Sequence, residues 1–415
     1  MREELSRSQT GRWDGQSLDT FEITEQGRFR IPRFVVPSEL HNTFFARAWG
    51  ITLSSTGPSL IASIDVESGE GEVIVDEDER MGPHGFHDGK LIYGLEEDEI
   101  VRAVDSETGD EQWVFDPNEI SSNSGGDFGA PPTIVDDEVF ITSRRSGYAY
   151  SLDPEDGSMN WRYDANSLSQ DANIVVRGNE VYFHGRSDGV IGLNRDDGSA
   201  QTEISNTEIF GEEADGEFIT SYPISRRGEI LYLPTFDWGI SAVNLDTEDT
   251  EWSLSLGDLV YRPTIYDGVL YIVARSDSGG NLYAIDPETG DEIWNDPLDG
   301  TPFSGADIFH DKIFVYDLDN NIYRYDLDGN REEKTELPSR ISHLVQKEDG
   351  IYGGLRTDGI VELNTETLEV EEFIFNEDRD DTPDFFRAEG IGFSEANLIS
   401  NRPGRANNDD LITEF

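Results

Sequence analysis

A repeated fourteen-residue pattern limits the fold more than any other feature of this sequence. Its clearest copy is NLYAIDPETGDEIW, residues 281–294. The stretch up to Asp286 has the two-residue period of a pleated strand. Pro287 and Gly290 then favour a tight reversal, because proline fixes φ and glycine accepts a positive φ. The pattern therefore predicts a β-hairpin that ends in Trp294.

The pattern places a small residue first, Asp or Asn two positions later, Gly six later and Trp ten later. Its other good copies are Ala103, Asp105, Gly109 and Trp113; Ser151, Asp153, Gly157 and Trp161; and Ala242, Asn244 and Trp252, which lack the glycine. In this last copy the even spacing of repeats favours Asp246 as the anchor, and the strict count favours Asn244. Weaker copies centre on Asp65, Asn194, Asp326 and Asn364.

Eight copies with a repeat of about forty residues have the period of a four-stranded propeller blade. We therefore predict an all-β fold, an eight-bladed β-propeller of four-stranded antiparallel blades. We place an N-terminal arm at residues 1–40, the propeller at 41–400 and a C-terminal tail at 401–415.

The motif A-x-D-x-x-T-G-x-x-x-W resembles the tryptophan-docking motif of the PQQ-like (quinoprotein-type) β-propeller repeat family. The resemblance covers about three quarters of the chain. It implies that four tryptophans dock one blade on the next: Trp113, Trp161, Trp252 and Trp294. We expect the blade turns to be formed by Asp105, Gly109, Asp153, Gly157, Asp286 and Gly290. The other copies carry Val73, Thr202, Lys334 and Glu372 at the docking position, so these blades should pack less regularly.

Net charge excludes several classes of partner. The chain has 87 acidic and 31 basic residues, a formal net charge of −56. This excess repels nucleic acid and anionic membranes. It is typical of proteins adapted to molar salt, where the Debye length falls to about 3 Å and self-repulsion is screened. We interpret the chain as haloarchaeal, from a host or a virus.

The N-terminal arm differs from the propeller in charge. Seven arginines balance seven acids in residues 1–47. A near-neutral arm should lie on an acidic surface, either its own propeller or a neighbouring subunit. The ring is expected to close by pairing of the segment after Phe375 with the first sheet, and the alternative is closure by the arm.

Two longer spacings between repeats indicate protruding loops at residues 121–131 and 202–218. Loops on a rigid scaffold often carry binding specificity. We therefore expect protein partners, with a cell-surface protein or glycan as a specific case, reached through these loops and the arm. We expect no nucleic acid, no membrane insertion, and a homo-oligomer or larger assembly.

The family resemblance also suggests a second function, that of a quinone-dependent enzyme. Enzymes of that family hold quinone and calcium in the central channel on a Trp platform, often under a ring of adjacent cysteines, with an Asp as base. This chain has no cysteine and no c-type haem attachment motif. Trp238 is the one candidate platform, and packing explains it better. We expect no catalytic residue and no cofactor.

Two groups of residues resemble metal ligands. Asp317, Asp319 and Asn321 match the opening of a calcium loop, but the glycine that this loop needs is absent. His84 and His87 form the only close histidine pair, without an apparent third ligand. We therefore expect no metal site.

The favoured function is a noncatalytic binding or structural scaffold at high salt, specifically a virion surface, tail or host-attachment protein of a haloarchaeal virus. The alternatives are a PQQ-dependent dehydrogenase-like quinoprotein and a cytoplasmic protein-interaction hub. The first residues lack the apolar segment of a secretory signal. We therefore expect the cytoplasm, or a virion assembled there.

Overall fold

A computed structural model describes most of the chain between residues 13 and 375. The described residues are 13–14, 29–37, 43–50, 59–65, 70–96, 98–120, 128, 132–143, 146–165, 168, 173–212, 224–235, 239–257, 259–276, 279–347, 350–355 and 359–375. They form eight antiparallel sheets, which we number in chain order.

Sheets 1 to 4 come from the first half of the chain. Sheet 1 contains β1 (Trp13–Asp14), β2 (Phe29–Pro37), β3 (Thr43–Gly50), β4 (Ser59–Asp65) and β5 (Glu70–Glu77). Sheet 2 contains β6 (Met81–His87), β7 (Lys90–Leu95), β8 (Ile100–Asp105) and β9 (Glu111–Phe115). Sheet 3 contains β10 (Thr133–Val135), β11 (Glu138–Ser143), β12 (Tyr148–Leu152) and β13 (Met159–Asp164). Sheet 4 contains β14 (Val175–Arg177), β15 (Glu180–Gly185), β16 (Gly189–Asn194) and β17 (Ala200–Ile204).

Sheets 5 to 8 follow. Sheet 5 contains β18 (Ser225–Arg227), β19 (Ile230–Thr235), β20 (Gly239–Asn244) and β21 (Thr250–Leu254). Sheet 6 contains β22 (Leu259–Val260), β23 (Thr264–Tyr266), β24 (Val269–Ser276), β25 (Gly279–Ile285) and β26 (Glu292–Leu298). Sheet 7 contains β27 (Asp307–Phe309), β28 (Lys312–Tyr316), β29 (Asn321–Asp326) and β30 (Arg331–Glu336). Sheet 8 contains β31 (Ile341–Lys347), β32 (Gly350–Leu355), β33 (Gly359–Leu363) and β34 (Val370–Phe375).

Each sheet is a meander whose four principal strands we call A to D in chain order. The A strands of neighbouring sheets contact one another: β6 contacts β10, and β23 contacts β27. Strand A is therefore the inner strand of each sheet. In sheet 6, β22 and β23 both pair with β24 and together form strand A. In sheet 1, A to D are β2 to β5, and β1 pairs with the outer edge of β5.

A register shift recurs at the same place in sheets 2 to 8, and sheet 1 has one two residues earlier in the repeat, between Ile61 and Ala62. In sheets 2 to 8 it lies between strands C and D beside the small residue that opens the repeat, as at Ala103, Ser151, Ala242 and Ala284. Such a bulge adds one residue to one strand and increases the local twist. These recurring shifts show that the sequence repeat is also a structural repeat.

Among the described residues, seven apolar clusters join successive sheets, one cluster per junction. The cluster between sheets 3 and 4, for example, contains Phe140 and Trp161 from one sheet and Val181 and Leu193 from the other. The eighth junction is formed by β2, which lies against β31, β32 and β33. The predicted all-β propeller fold is therefore confirmed, and eight sheets with eight junctions are consistent with eight blades.

Strand β2 belongs to the predicted N-terminal arm, residues 1–40. Residues 29–37 form one strand with a register shift between Arg30 and Phe34. The arm thus supplies strand A of sheet 1 and the contact with sheet 8. The segment after Phe375, which was expected to close the ring, lies outside the described residues, and the division of the chain at residues 40 and 400 stays a prediction.

Candidate functional site

The turns between strands C and D share one hydrogen-bonding design. The carboxylate of Asp105 accepts from the backbone N–H groups of Glu107 and Thr108, at 2.9 and 2.8 Å. The Thr108 bond is the main cause of a lowered pKa at Asp105. The side-chain oxygens of Asp153, Asn194, Asn244, Asp286 and Asn364 likewise accept from the backbone N–H two residues on, whereas Asp326 accepts from that of Asn330, four residues on. In the fifth repeat the anchor is therefore Asn244, and Asp246 is instead one of the donors to it.

The four motif tryptophans lie at junctions between successive sheets. The indole Nε1 of Trp113 donates to the carbonyl of Pro154 at 2.8 Å, and that of Trp161 to Arg195 at 2.6 Å. Trp252 donates to Pro287, and Trp294 to Leu327, at 3.1 Å each. Each acceptor follows the Asp or Asn anchor of the next sheet by one residue, so the contact ties the outer part of one sheet to the turn of its neighbour.

A glycine in the next turn lies against each indole. These glycines are Gly157, Gly198, Gly290 and Gly329, all with positive φ. A Cβ on Gly157 would lie 2.5 Å from the Trp113 ring. The repeat therefore needs glycine for contact with the ring as well as for backbone conformation.

Gly157→Ala is expected to destabilise the protein more than Gly178→Ala. Both glycines have positive φ, at 72° and 56°, but a Cβ on Gly178 would meet nothing within 4 Å. The difference between the two variants isolates overpacking against the indole, which costs about 1–3 kcal/mol. Denaturant unfolding measures both. Equal losses would mean that backbone conformation alone fixes this position.

Junctions without tryptophan are filled in other ways. Between sheets 4 and 5, where Thr202 is at the docking position, helix α1 (Asn206–Phe210) buries Ile209 against Leu245. Between sheets 7 and 8, Leu368 takes the positive-φ turn position, at 59°, and is fully buried. These junctions were expected to pack less regularly, and their buried apolar side chains replace the missing indole. The capping box of Ser205 and Glu208 is the sequence signal that predicts α1.

Ion pairs also cross the junctions. Arg102 of sheet 2 pairs with Glu77 of sheet 1 at 2.5 Å, and Arg177 of sheet 4 pairs with Asp246 of sheet 5 at 2.7 Å. The other described pairs between sheets join Lys90 to Glu155, Arg195 to Asp136 and Glu138, Arg331 to Asp296 and Asp299, and Lys334 to Asp299. The chain thus places many of its few cations between blades.

A ring of hydroxyl groups links the inner strands. Thr133 donates to the carbonyl of Ile174, Ser225 to Pro263 and Thr264 to Ala306, at 2.6–3.1 Å. Each bond joins a strand A residue to the backbone that leads into the next inner strand. Together they connect neighbouring inner strands at three of the described junctions.

Sheet 7 carries Asp307 at the position of these hydroxyl residues. Asp307 is partly exposed as a residue, but its Oδ2 is buried without a hydrogen bond. Asp307 lines a cavity of about 10 Å³, the space of one water molecule, together with Arg262, Ser304 and Tyr316. Burial raises the pKa of Asp307 to about 7, although Arg262 and Tyr316 act in the opposite direction. This is the described carboxyl group best placed to titrate near neutral pH.

The meander separates two faces of the disc. The short A–B and C–D turns lie on one, the turn face, and the B–C turns and D–A connections lie on the other, the loop face. The longest connections, 116–132 and 205–224, are both D–A connections. They correspond to the loops predicted at 121–131 and 202–218, although residues 202–204 belong to β17. Most residues at the centre of these two loops lie outside the described range.

Buried residues anchor these connections. Phe128 is 2% exposed and packs beside Tyr150. A Cβ added to Gly94 would approach Phe128 within 2.4 Å. Asn173 and Ile224 exchange two hydrogen bonds, at 2.8 and 3.2 Å, which join the ends of two successive D–A connections. The loop face therefore presents long segments from fixed positions.

Comparison with known protein families gives matches in the repeat region. The family model for outer membrane protein assembly factor BamB matches residues 118–296 and 237–332, together just over half of the chain. This chain belongs to the BamB family of PQQ-like repeat propellers. The family resemblance expected from the tryptophan motif is thereby confirmed.

A curated member, the BamB of Yersinia pestis, is 24% identical over 254 residues. The alignment covers 56% of this chain and 60% of that protein, so the chain spans less than two thirds of the curated relative. The crystal structure of BamB from Moraxella catarrhalis aligns with a TM-score of 0.58 and 16% identity, over 81% of this chain and 98% of that one. The structural likeness concerns the fold alone.

The fold is shared with enzymes as well as with BamB. A quinohemoprotein alcohol dehydrogenase from Pseudomonas putida aligns with a TM-score of 0.53 and 12% identity, over 75% of this chain and 70% of that one. This likeness also shows the fold only. Trp238, the candidate quinone platform, lies outside the described residues.

The residues that resembled metal ligands have other partners in this BamB-family chain. The Asp317 carboxylate is fully buried and accepts from the backbone N–H groups of Asp319 and Asn321 and from the Tyr323 hydroxyl. Within the described ranges no three His, Cys, Asp or Glu side chains converge as a metal site. His84 is buried, whereas His87 is partly exposed.

Among the described residues, no helix has the length and apolar character to cross a membrane.

Proposed function

We propose that this chain is a noncatalytic scaffold that binds a protein partner through its loop face. The single observation that carries the proposal is that its longest connections leave one face of the ring from buried anchors, among them Phe128 and Ile209. A rigid framework lowers the entropy lost when such loops bind. Family membership supports a protein partner, since BamB relatives are named as assembly factors for outer membrane proteins.

The setting that we propose is high salt. The charge of −56 is carried on a folded ring, and hydrated carboxylates keep such a surface soluble when salt screens their repulsion. The specific form of the proposal is a surface, tail or host-attachment component of a haloarchaeal virus, assembled in the cytoplasm. It predicts that the chain copurifies with particles. If the protein is recovered only as a free monomer, the viral form of the proposal is wrong, whereas the scaffold proposal stands.

Photo-crosslinking can decide which face binds. We would place a photoreactive amino acid at Ile120, which is 43% exposed on a D–A connection of the loop face, or at Glu248 in an exposed turn of the turn face. In the native assembly we expect crosslinks to a defined partner from position 120 and none from position 248. Mass spectrometry identifies the products. Crosslinks from position 248 alone would overturn the assignment of the loop face.

The quinoprotein alternative has a direct test. The purified chain is mixed with pyrroloquinoline quinone and calcium, and cofactor absorbance and dye-linked alcohol oxidation are measured. We expect neither bound quinone nor turnover. Stoichiometric quinone binding with turnover would replace the scaffold with an enzyme.

A further inference from the structure

Arg226 occupies a position that is apolar in the neighbouring sheets. It is the second residue of β18, the inner strand of sheet 5. The corresponding residues are Ile134, Val176, Ile265 and Ile308 in sheets 3, 4, 6 and 7. Arg226 is 7% exposed, and Ile134 and Val176 are 8% exposed. A guanidinium group is therefore buried where sheets 3 and 4 bury an aliphatic side chain and sheets 6 and 7 carry a partly buried one.

Within the described ranges, no carboxylate pairs with this buried charge. Arg102, Arg195 and Arg331 at other junctions pair with Asp or Glu, but Arg226 forms no ion pair with any described residue. Its Nη1 donates to the carbonyl of Gly228 in the A–B turn, and its Nε is buried without an acceptor. A buried charge normally needs a counter-ion, because removal from water is costly.

The groups facing Arg226 from sheet 4 do not neutralise it. Arg177 adds a second positive charge, and its own carboxylate partner is Asp246. The Tyr182 hydroxyl donates to Glu180 at 2.8 Å, so that phenol is occupied. Burial, and then the charge of Arg177, lower the pKa of Arg226 to about 10.

We propose that Arg226 and Arg177 bind one small monovalent anion at the turn face, between sheets 4 and 5. The contact of Arg226 with the Gly228 carbonyl places its guanidinium beside the A–B turn, where an ion can enter from solvent. Each guanidinium group supplies charge-assisted donors that suit chloride or a single carboxylate. The small exposed fraction of Arg226 excludes a bulky ligand.

Chloride-35 NMR provides the binding test, with chloride as the probe. Total potassium is held constant, and fluoride replaces chloride to vary the chloride concentration. The wild-type chain is expected to broaden the chloride line, Arg226→Ile to lose that broadening, and the control Arg227→Met to keep it, since Arg227 is the exposed last residue of the same strand. Competition by acetate would extend the site to carboxylates, and no competition would restrict it to halide. Equal broadening by wild type and Arg226→Ile would overturn the proposal.

Thermal unfolding separates an anion site from a structural arginine. Isoleucine matches the residues of the neighbouring sheets, so Arg226→Ile should unfold at a higher temperature than wild type when only fluoride is present. Chloride should stabilise wild type and leave the variant unchanged. A lower unfolding temperature for Arg226→Ile under both conditions, with no chloride effect on wild type, would show that Arg226 acts through its bond to Gly228 and binds no anion.

Discussion

Trp113→Ala is expected to lower the free energy of unfolding by about 4 kcal/mol. Trp113 is 5% exposed, and its ring packs between sheets 2 and 3 beside Gly157. Its removal leaves a cavity and also deprives the Pro154 carbonyl of its donor. The cavity accounts for most of the loss, because a single neutral hydrogen bond contributes only about 1 kcal/mol. Chemical denaturation at constant salt measures the change.

Trp113→Phe is the matched variant for this prediction. Phenylalanine keeps an aromatic ring at the junction but cannot donate to Pro154, so we expect an intermediate loss. A loss below about 1 kcal/mol for Trp113→Ala would contradict the cavity mechanism, because buried aromatic truncations cost several times more.

Asp307→Asn is expected to stabilise the protein at pH 8 and to have a much smaller effect at pH 5. The pKa of Asp307 is raised to about 7 in the folded chain, mainly by burial. An unfolded Asp loses its proton near pH 4, whereas the folded protein holds it to about pH 7. The stability that Asp307 contributes is therefore fully present below pH 4 and is lost as pH rises through 7. One pKa unit corresponds to about 1.4 kcal/mol, so the full loss is about 4 kcal/mol at most.

Urea unfolding of both chains at pH 5 and pH 8 tests this expectation. Asparagine cannot titrate, so the stability difference between variant and wild type should grow with pH. Asp328→Asn, an exposed carboxylate in the next C–D turn, provides the control and should show no such growth. If the difference in unfolding free energy between Asp307→Asn and wild type is the same at pH 5 and pH 8, Asp307 is ionised throughout this range in the folded protein.

The repeat motif predicted the architecture because its residues have local roles. The Asp anchors accept backbone N–H groups two or three residues away, and the glycines take positive φ, so both can be recognised from spacing alone. Tryptophan docking followed from the family resemblance. The spacing does not predict how a junction is packed where the docking position lacks tryptophan, as at Thr202 and Lys334. The side chains that fill those junctions come from other parts of the sequence.

Features that depend on contacts between distant residues were not predictable from the motif. In the sequence, Leu368 looks like any turn residue, and only the structure shows that it is buried. Arg226 is one of 31 basic residues, and only the structure shows that it has no acidic partner among the described residues. Asp307 is equally unremarkable among 87 acids without the cavity beside it. Helix α1, in contrast, has a local signal, because the Ser205 and Glu208 capping box predicts where the helix begins.

The contact of β2 with sheet 8 has a consequence for synthesis on the ribosome. The other seven junctions join sheets that are consecutive along the chain, so they can assemble as translation proceeds. The eighth joins residues 29–37 to residues 341–363 and must wait until nearly the whole polypeptide has emerged. Contacts between such distant segments form slowly. Until then, the nascent protein is an open arc with an uncovered first sheet, which is the stage at which a chaperone would be most useful.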